Sequence, residues 1–300
     1  MRSGARPPRS GGLRGSSGER MSDPIVGRLR LRSFAGAVAA WLALLPSPAA
    51  CEPPAPDPEL SGQDVYARVL ANRFDSFTQE SQLASGDEAG RVQETRLRMH
   101  FMDFRDAEDQ PRRGVLSKTL VQYTHPFDLR HAGYLVIQNH ERENDQFVYL
   151  PARRQTVRVN LRGEALFGTD FSFEDVIPRE LEDATYRRLA DAPIDGQPSY
   201  VVEAHPVAHY DSEYSKFVFY VDVERFVPLR TRYWDEADVE VKELRTTRAD
   251  IEQFESVFIP TRLTMRHLLH DSFTTLEITS LVPNPPLPES AFEVRRLETH

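Results

Sequence analysis

Few residue groupings in this 300-residue chain have the types and spacing that chemistry needs. His205 and His209 (HPVAH) have a spacing that suits a metal ion. Pro206 stands between them, however, and a zinc site needs three or four convergent ligands. His267 and His270 fall on opposite faces if their segment is a strand. The pairs Glu174-Asp175 and Glu182-Asp183 contain the acids that proton transfer uses, but adjacent side chains on a strand diverge. A Gly-rich phosphate loop, a Gly-x-Ser-x-Gly elbow and a His-Glu-x-x-His helix are all missing. Cys51, the one cysteine, sits in a Pro-rich stretch with nothing fixed to activate its thiol. The residues therefore predict a protein that is not an enzyme, needs no cofactor and binds no metal.

Cys51 has a different significance through its position. It follows Ala49-Ala50 at the end of a segment with the parts of an export signal. Arg28, Arg30 and Arg32 form a basic region, Ser33 to Leu45 an uncharged apolar run, and Ser47-Pro48-Ala49-Ala50 a small-residue cleavage site. The run is too short to span a bilayer, and Pro46 ends it. Residues 1–20 have a disordered composition, and Met21 is the more natural start. The sequence thus predicts a disordered N-terminus plus signal over 1–50, a Pro-rich linker over 51–59 and one domain over 60–300. Acylation at Cys51 would tether the mature chain; without it the chain would diffuse in the periplasm. Bacterial lipoprotein signals usually carry Leu three residues before the cysteine, where this chain has Pro48.

Charge narrows the partners. Residues 1–50 hold eight of the 37 basic and two of the 46 acidic side chains, which leaves 29 against 44 and a net charge of −15 for the rest. Such a surface repels phosphate backbones, so nucleic acid is excluded as a partner.

The elements read as mainly β. A helix is expected over 60–73, capped by Ser61 with Asp64 three residues on, and residues 74–85 read as a polar lead-in. From Val92 the apolar period becomes two. Residues 92–104 set Leu97, Met99 and Phe101 against Arg96, Arg98 and His100. Strands follow over 114–124, 133–140, 145–150 and 155–160. They resume over 199–205, 214–223 (with Phe217, Phe219, Val221 and Val223 on one face), 227–234, 239–248, 257–270 and 273–282. Asp235 to Asp238 and His270-Asp271-Ser272 read as hairpin turns. Phe292, Val294 and Leu297 are expected to pin the C-terminus to the body. Sequential hairpins of this kind favour one antiparallel sheet that curls.

Residues 161–183 interrupt the strands. The stretch Leu166-Phe167-Gly168-Thr169-Asp170-Phe171-Ser172-Phe173-Glu174-Asp175-Val176 reads as a loop entering a short helix, with Thr169 or Ser172 as cap. Its three phenylalanines are unusual in a connection. They fit either ordinary core packing or a lid over a greasy sheet face that holds an acyl chain.

Several of these segments resemble the outer-membrane lipoprotein-sorting protein family, the LolA-like carriers of Gram-negative bacteria. The resemblance rests on Lys118-Thr119-Leu120, His125-Pro126-Phe127-Asp128, Gly133-Tyr134-Leu135, Phe147-Val148-Tyr149-Leu150-Pro151-Ala152 and Arg158-Val159. The stretch from Phe167 to Asp175 carries it further, as do Tyr214-Ser215-Lys216, Val227-Pro228-Leu229 and Lys242. The resemblance implies an open, incomplete antiparallel β-barrel of about eleven strands with short lid helices. It implies a periplasmic carrier whose apolar cavity holds lipid or lipoprotein acyl chains, for transfer toward the outer membrane. Candidate cavity and lid residues are then Leu97, Met99, Phe101, Tyr134, Tyr149, Phe167, Phe171, Phe173, Phe217 and Phe219. An inner-membrane transporter is the implied protein partner. The alternatives are a non-catalytic envelope adaptor with an ordinary filled core, docked on a lipid exporter, and a hydrolase whose acids converge only in the fold.

Overall fold

The computed structural model describes residues 54–298 apart from 162, 209 and 211. The expected signal over 1–50, Cys51 and His209 lie outside the described residues. The chain opens with α1 (Gly62–Ala71). Ser61 caps it as its residue type dictates: Ser61 Oγ accepts from the Asp64 amide (3.1 Å), and Asp64 accepts from the Ser61 amide (3.0 Å). Val65 and Tyr66 are buried on its inner side.

Six strands follow as a meander: β1 (Ser76–Gly86), β2 (Val92–Asp103), β3 (Val115–His125), β4 (Gly133–Asn139), β5 (Asp145–Leu150) and β6 (Gln155–Val159). A crossing segment over 160–183 leads to β7 (Ala184–Arg188), β8 (Ser199–Pro206), β9 (Lys216–Asp222), β10 (Pro228–Trp234) and β11 (Glu240–Arg245). The small hairpin β12 (Ile251–Phe254) and β13 (Val257–Pro260) stands apart as its own two-stranded sheet. Strands β14 (Arg262–His267) and β15 (Ser272–Pro283) complete the main sheet. Its spatial order is β6-β5-β4-β3-β2-β1-β15-β14-β11-β10-β9-β8-β7, antiparallel throughout. Among the described residues the fold is thus one large open antiparallel sheet with one α-helix, as expected in kind. That main sheet has thirteen strands rather than about eleven.

The differences have physical reasons. Residues 74–85, expected as a lead-in, contain β1, which lies in the middle of the sheet. Its buried positions include Gln79 and Ser81 as well as Leu83, so the apolar alternation is masked; Gln79 Nε2 donates to Ser81 Oγ (2.7 Å) and both are satisfied internally. Edge strand β7 is hidden in the sequence by its Arg and Thr residues. The expected strand over 257–270 is two. Thr261 turns between them, its amide donating to the Asp250 carbonyl (2.8 Å), so β13 and β14 join different sheets.

The sheet curls. Eight strand spacings separate β4 from β9, about 38 Å if flat at ~4.8 Å each. Yet Phe173 meets Tyr134 of β4 with ring centroids 4.5 Å apart, and Arg179 lies 3.9 Å over Phe217 of β9. Six residues of chain span only about 20 Å, so the two halves must face each other. One large core lies inside that curl, under α1 and the crossing segment. A smaller core lies on the outer face, where Phe292 and Leu297 cover Leu120 and Leu135 as the C-terminal pattern predicts.

Candidate functional site

Both ends of the strand order are linked by one connection, residues 160–183, whose apolar side chains pack into the main core inside the curl. Its first half is a tight loop: the Leu166 amide donates to the Phe171 carbonyl (2.7 Å), and Thr169 Oγ1 donates to the Leu166 carbonyl (2.8 Å). Phe167 and Gly168 both take left-handed conformations (φ 49° and 79°). Gly168 accepts this freely; for Phe167 it is a strained geometry that the ring's packing must offset. That ring lies 4.6 Å from Tyr123, and Leu166, Phe171 and Phe173 are buried in the main core. The second half holds short 3-10 turns, Glu174–Val176 and Leu181–Asp183.

The polar residues of the same stretch hold it down. Asp170 accepts from Thr274 Oγ1 (2.7 Å) and from Ser272, both on β15. Glu174 is buried and accepts from Ser212 Oγ (2.6 Å), the Glu213 amide (2.8 Å) and Arg179 (3.0 Å). Asp175 accepts from the Ser172 amide (2.8 Å), Tyr214 Oη (2.9 Å) and Lys242 Nζ (3.0 Å). Lys242 also donates to Tyr214 Oη (2.8 Å), and Glu180 is paired with Arg105. The Phe-Gly-Thr-Asp-Phe-Ser-Phe-Glu-Asp motif therefore divides its side chains between two roles, with aromatic rings turned inward and carboxylates fastened to the body. Burial, with the Asp175 and Glu213 charges beside it, drives the Tyr214 phenol far above its usual range, so it stays a proton donor to Asp175. Burial also raises the Glu213 carboxyl, against the pull of Lys242.

Of the ten residues expected at the cavity and lid, nine share this inner side. Leu97, Tyr134, Phe171, Phe173, Phe217 and Phe219 are buried in the main core, and Met99 and Phe167 pack against it. Phe101 lies at the α1 end of the same face, stacked on Phe77 (5.2 Å) beside a cleft of about 190 Å³ that Val69, Leu70 and Arg105 also line. Tyr149 is a correction. It lies one position out of phase with Val148, so it faces outward and packs in the outer core under the C-terminal segment. Where the apolar cavity is expected, Leu166, Phe167, Phe171 and Phe173 of the crossing segment pack against the main core. Sequence reasoning missed Tyr66, Arg179 and Tyr233 as parts of the interior. Lys242 and Tyr214 stood in the resemblance without a role.

His267 lies beside these anchors. The turn after β14 brings its ring within 4.1 Å of His270, correcting the expectation that the two diverge. Burial, then His270 and Lys242, hold its pKa below the ordinary value, and its Nδ1 is buried without a partner. The folded state therefore prefers the neutral ring. Its contribution to stability is complete above about pH 6.5 and is lost as pH falls from there through the depressed folded value. Between pH 7.5 and 5 the denaturation midpoint of wild type should fall more steeply than that of His267→Gln.

Six of the seven exposed large apolar residues among those described sit at one end of the sheet. They lie on or beside four consecutive hairpins: Phe127 between β3 and β4, Val92 by the β1–β2 turn, Leu268, Leu269 and Phe273 around the β14–β15 turn, and Val239 before β11. Phe127 is 89% exposed. The Asp170 end of the crossing segment is fastened at this same rim.

The open antiparallel sheet has a LolA-like fold, as comparison with solved structures shows. The structure is similar to a DUF1329 family protein from Desulfovibrio piger (TM-score 0.73, 22% identity, covering 79% of this chain and 97% of that one). It is also similar to a domain from Vibrio parahaemolyticus described as outer membrane lipoprotein-sorting (0.71, 20%, covering 79% and 98%). A LolA superfamily protein from Nitrosomonas europaea has the same fold (0.61, 18%, covering 78% and 98%). No curated protein matches the sequence. The family model that matches, over residues 116–299, carries the description "-like: Uncharacterized protein", and the chain belongs to that family.

Proposed function

We propose that this protein is a periplasmic carrier that binds the acyl chains of a lipid or lipoprotein on the inner face of its sheet and passes them toward the outer membrane. The observation that carries this reading is the crossing segment. It presents Leu166, Phe167, Phe171 and Phe173 to a surface lined by Leu97, Tyr134 and Phe219, and side-chain bonds to the body fasten much of it. Lifting this strap would uncover an apolar surface of the kind that holds acyl chains. The outward apolar rim supports handover at a membrane or a membrane-bound partner, since clustered exposed apolar side chains mark interaction sites. Similarity to a lipoprotein-sorting domain and a LolA superfamily protein supports the cargo class. The lack of a recognisable catalytic motif in the sequence supports a non-enzymatic role.

The test uses delipidated protein and a fluorescent fatty-acyl probe. Saturable binding near one probe per chain is expected, with faster uptake by Asp170→Ala, which frees one end of the strap. No saturable binding by either protein would defeat the carrier reading. The packing of the crossing segment against the core favours a second reading, an envelope adaptor with an ordinary core, and that result would leave it standing.

A further inference from the structure

We infer that protonation of His267 unfastens the crossing segment, so that the strap over the inner face loosens as the surroundings acidify. The register of the sheet sets this ring between the two fastenings of the strap. His267 stands directly opposite Lys242 on β11 and directly opposite Ser272 on β15. Residues opposite each other in adjacent strands share a face of the sheet. Lys242 donates to Asp175 (3.0 Å), and Ser272 donates to Asp170, which also accepts from Thr274 Oγ1 (2.7 Å). Both carboxylates belong to the crossing segment, so one ring adjoins the partners that hold each of them.

The closed arrangement has no place for a charged ring. His267 Nδ1 is buried and makes no hydrogen bond. An imidazolium carries donors on both ring nitrogens, so its Nδ1–H would be buried without an acceptor. The new charge would also face cations, since Lys242 is its cross-strand neighbour and the His270 ring is 4.1 Å away across the turn. Asp170 and Asp175 are the carboxylates whose charges reach it, and both already hold the strap. Every adjustment therefore acts on a fastening. Lys242 is pushed from its seat beside Asp175, or one of the two carboxylates turns from its present donors to the imidazolium.

The remaining charges nearby leave this conflict in place. Arg266, next along the strand, points to the opposite side and lies 3.7 Å from Asp271. Glu213 lies 3.8 Å from Lys242, on which it acts rather than on the ring. Burial, then His270 and Lys242, hold the ring's pKa below the ordinary value. Loosening the strap relieves these effects, so the loosened form binds the proton more tightly. The closed form is therefore most favoured above about pH 6.5 and loses that advantage as pH falls through the depressed value. This response belongs to the strap itself, whatever the inner face binds.

Hydrogen exchange of the full chain between pH 7.5 and 5.5, corrected for the intrinsic rate at each pH, tests this. The Asp170 and Ser172 amides donate to Thr274 Oγ1 (2.9 Å) and Asp175 (2.8 Å). They should lose protection severalfold on acidification, while amides paired between β2 and β3 keep theirs. The loss should track the titration of the His267 ring in a proton NMR spectrum. His267→Gln should abolish it. His270→Gln, at an exposed position, should keep it with the midpoint moved to higher pH, because one repelling charge is gone. Protection that stays constant or rises on acidification would overturn the proposal. So would an equal loss in His267→Gln, which would assign the response to a carboxyl such as Glu213.

Discussion

Lys242→Met is expected to loosen the crossing segment by about 3–5 kcal/mol, the usual cost of removing one partner from a buried ion pair. Lys242 and Asp175 are both almost wholly buried, and the ammonium is the one cation within 4 Å of that carboxylate among the described residues. Removing it leaves Asp175 with the Ser172 amide and Tyr214 Oη as its remaining donors, beside the Glu213 charge. Because the strap is fastened largely through side chains, the loss should appear first as local opening. Exchange of the Leu166 and Ser172 amides should accelerate roughly 100-fold or more, since each 1.4 kcal/mol is a factor of ten. Amides paired between β2 and β3 should change far less. Lys242→Met combined with Asp175→Asn should recover much of the loss, because the buried Asp175 charge is then removed together with its cation. A double-mutant cycle with no coupling would refute this account of the anchor.

Phe173→Ala is the second large effect. The ring is 4% exposed, meets Tyr134 edge-on and lies 6.4 Å from Phe167. Deleting a buried aromatic costs about 3–5 kcal/mol, part of it for the space left behind. Here that space lies on the surface proposed for acyl chains. The variant should be less stable to denaturant, yet bind the acyl probe faster and regain stability as probe is added. Tyr149→Ala provides the contrast. It unpacks the outer core beneath Phe292 and Leu297, so it should lose stability without changing probe uptake. Equal effects of the two variants on uptake would mean the inner face is not the binding surface.

The residues explain which parts of this fold are legible in the sequence. Strand β2 shows its faces plainly because Leu97, Met99 and Phe101 point to an apolar interior while Arg96 and Arg98 meet water. Strand β9 shows one side as clearly, through Phe217 and Phe219. Strand β1 hides because a central position let Gln79 and Ser81 be buried and bonded to each other. Tyr149 misleads because the C-terminal segment covers the outer face as well, so an aromatic residue in β5 is at home on either side. The ion-pair anchors are long-range: Asp175 and Lys242 are 67 residues apart, and no local pattern couples them. What the linear sequence does show is a connection with too many phenylalanines, and that excess is explained by its place inside the curl.

The strand order has a consequence for how the molecule is made. Strands β1 and β15, from opposite ends of the chain, are neighbours at the centre of the sheet, with Phe77 opposite Pro283. Each half is a run of local pairings, but the seam between them waits for the last strand. During synthesis the first meander therefore exposes β1 as a free edge until some two hundred further residues have emerged. An unpaired edge invites pairing with other chains. A chain broken in the crossing segment would yield two halves that each retain their own hairpins and share this seam, so the sheet is in effect a two-piece assembly joined by its own strap.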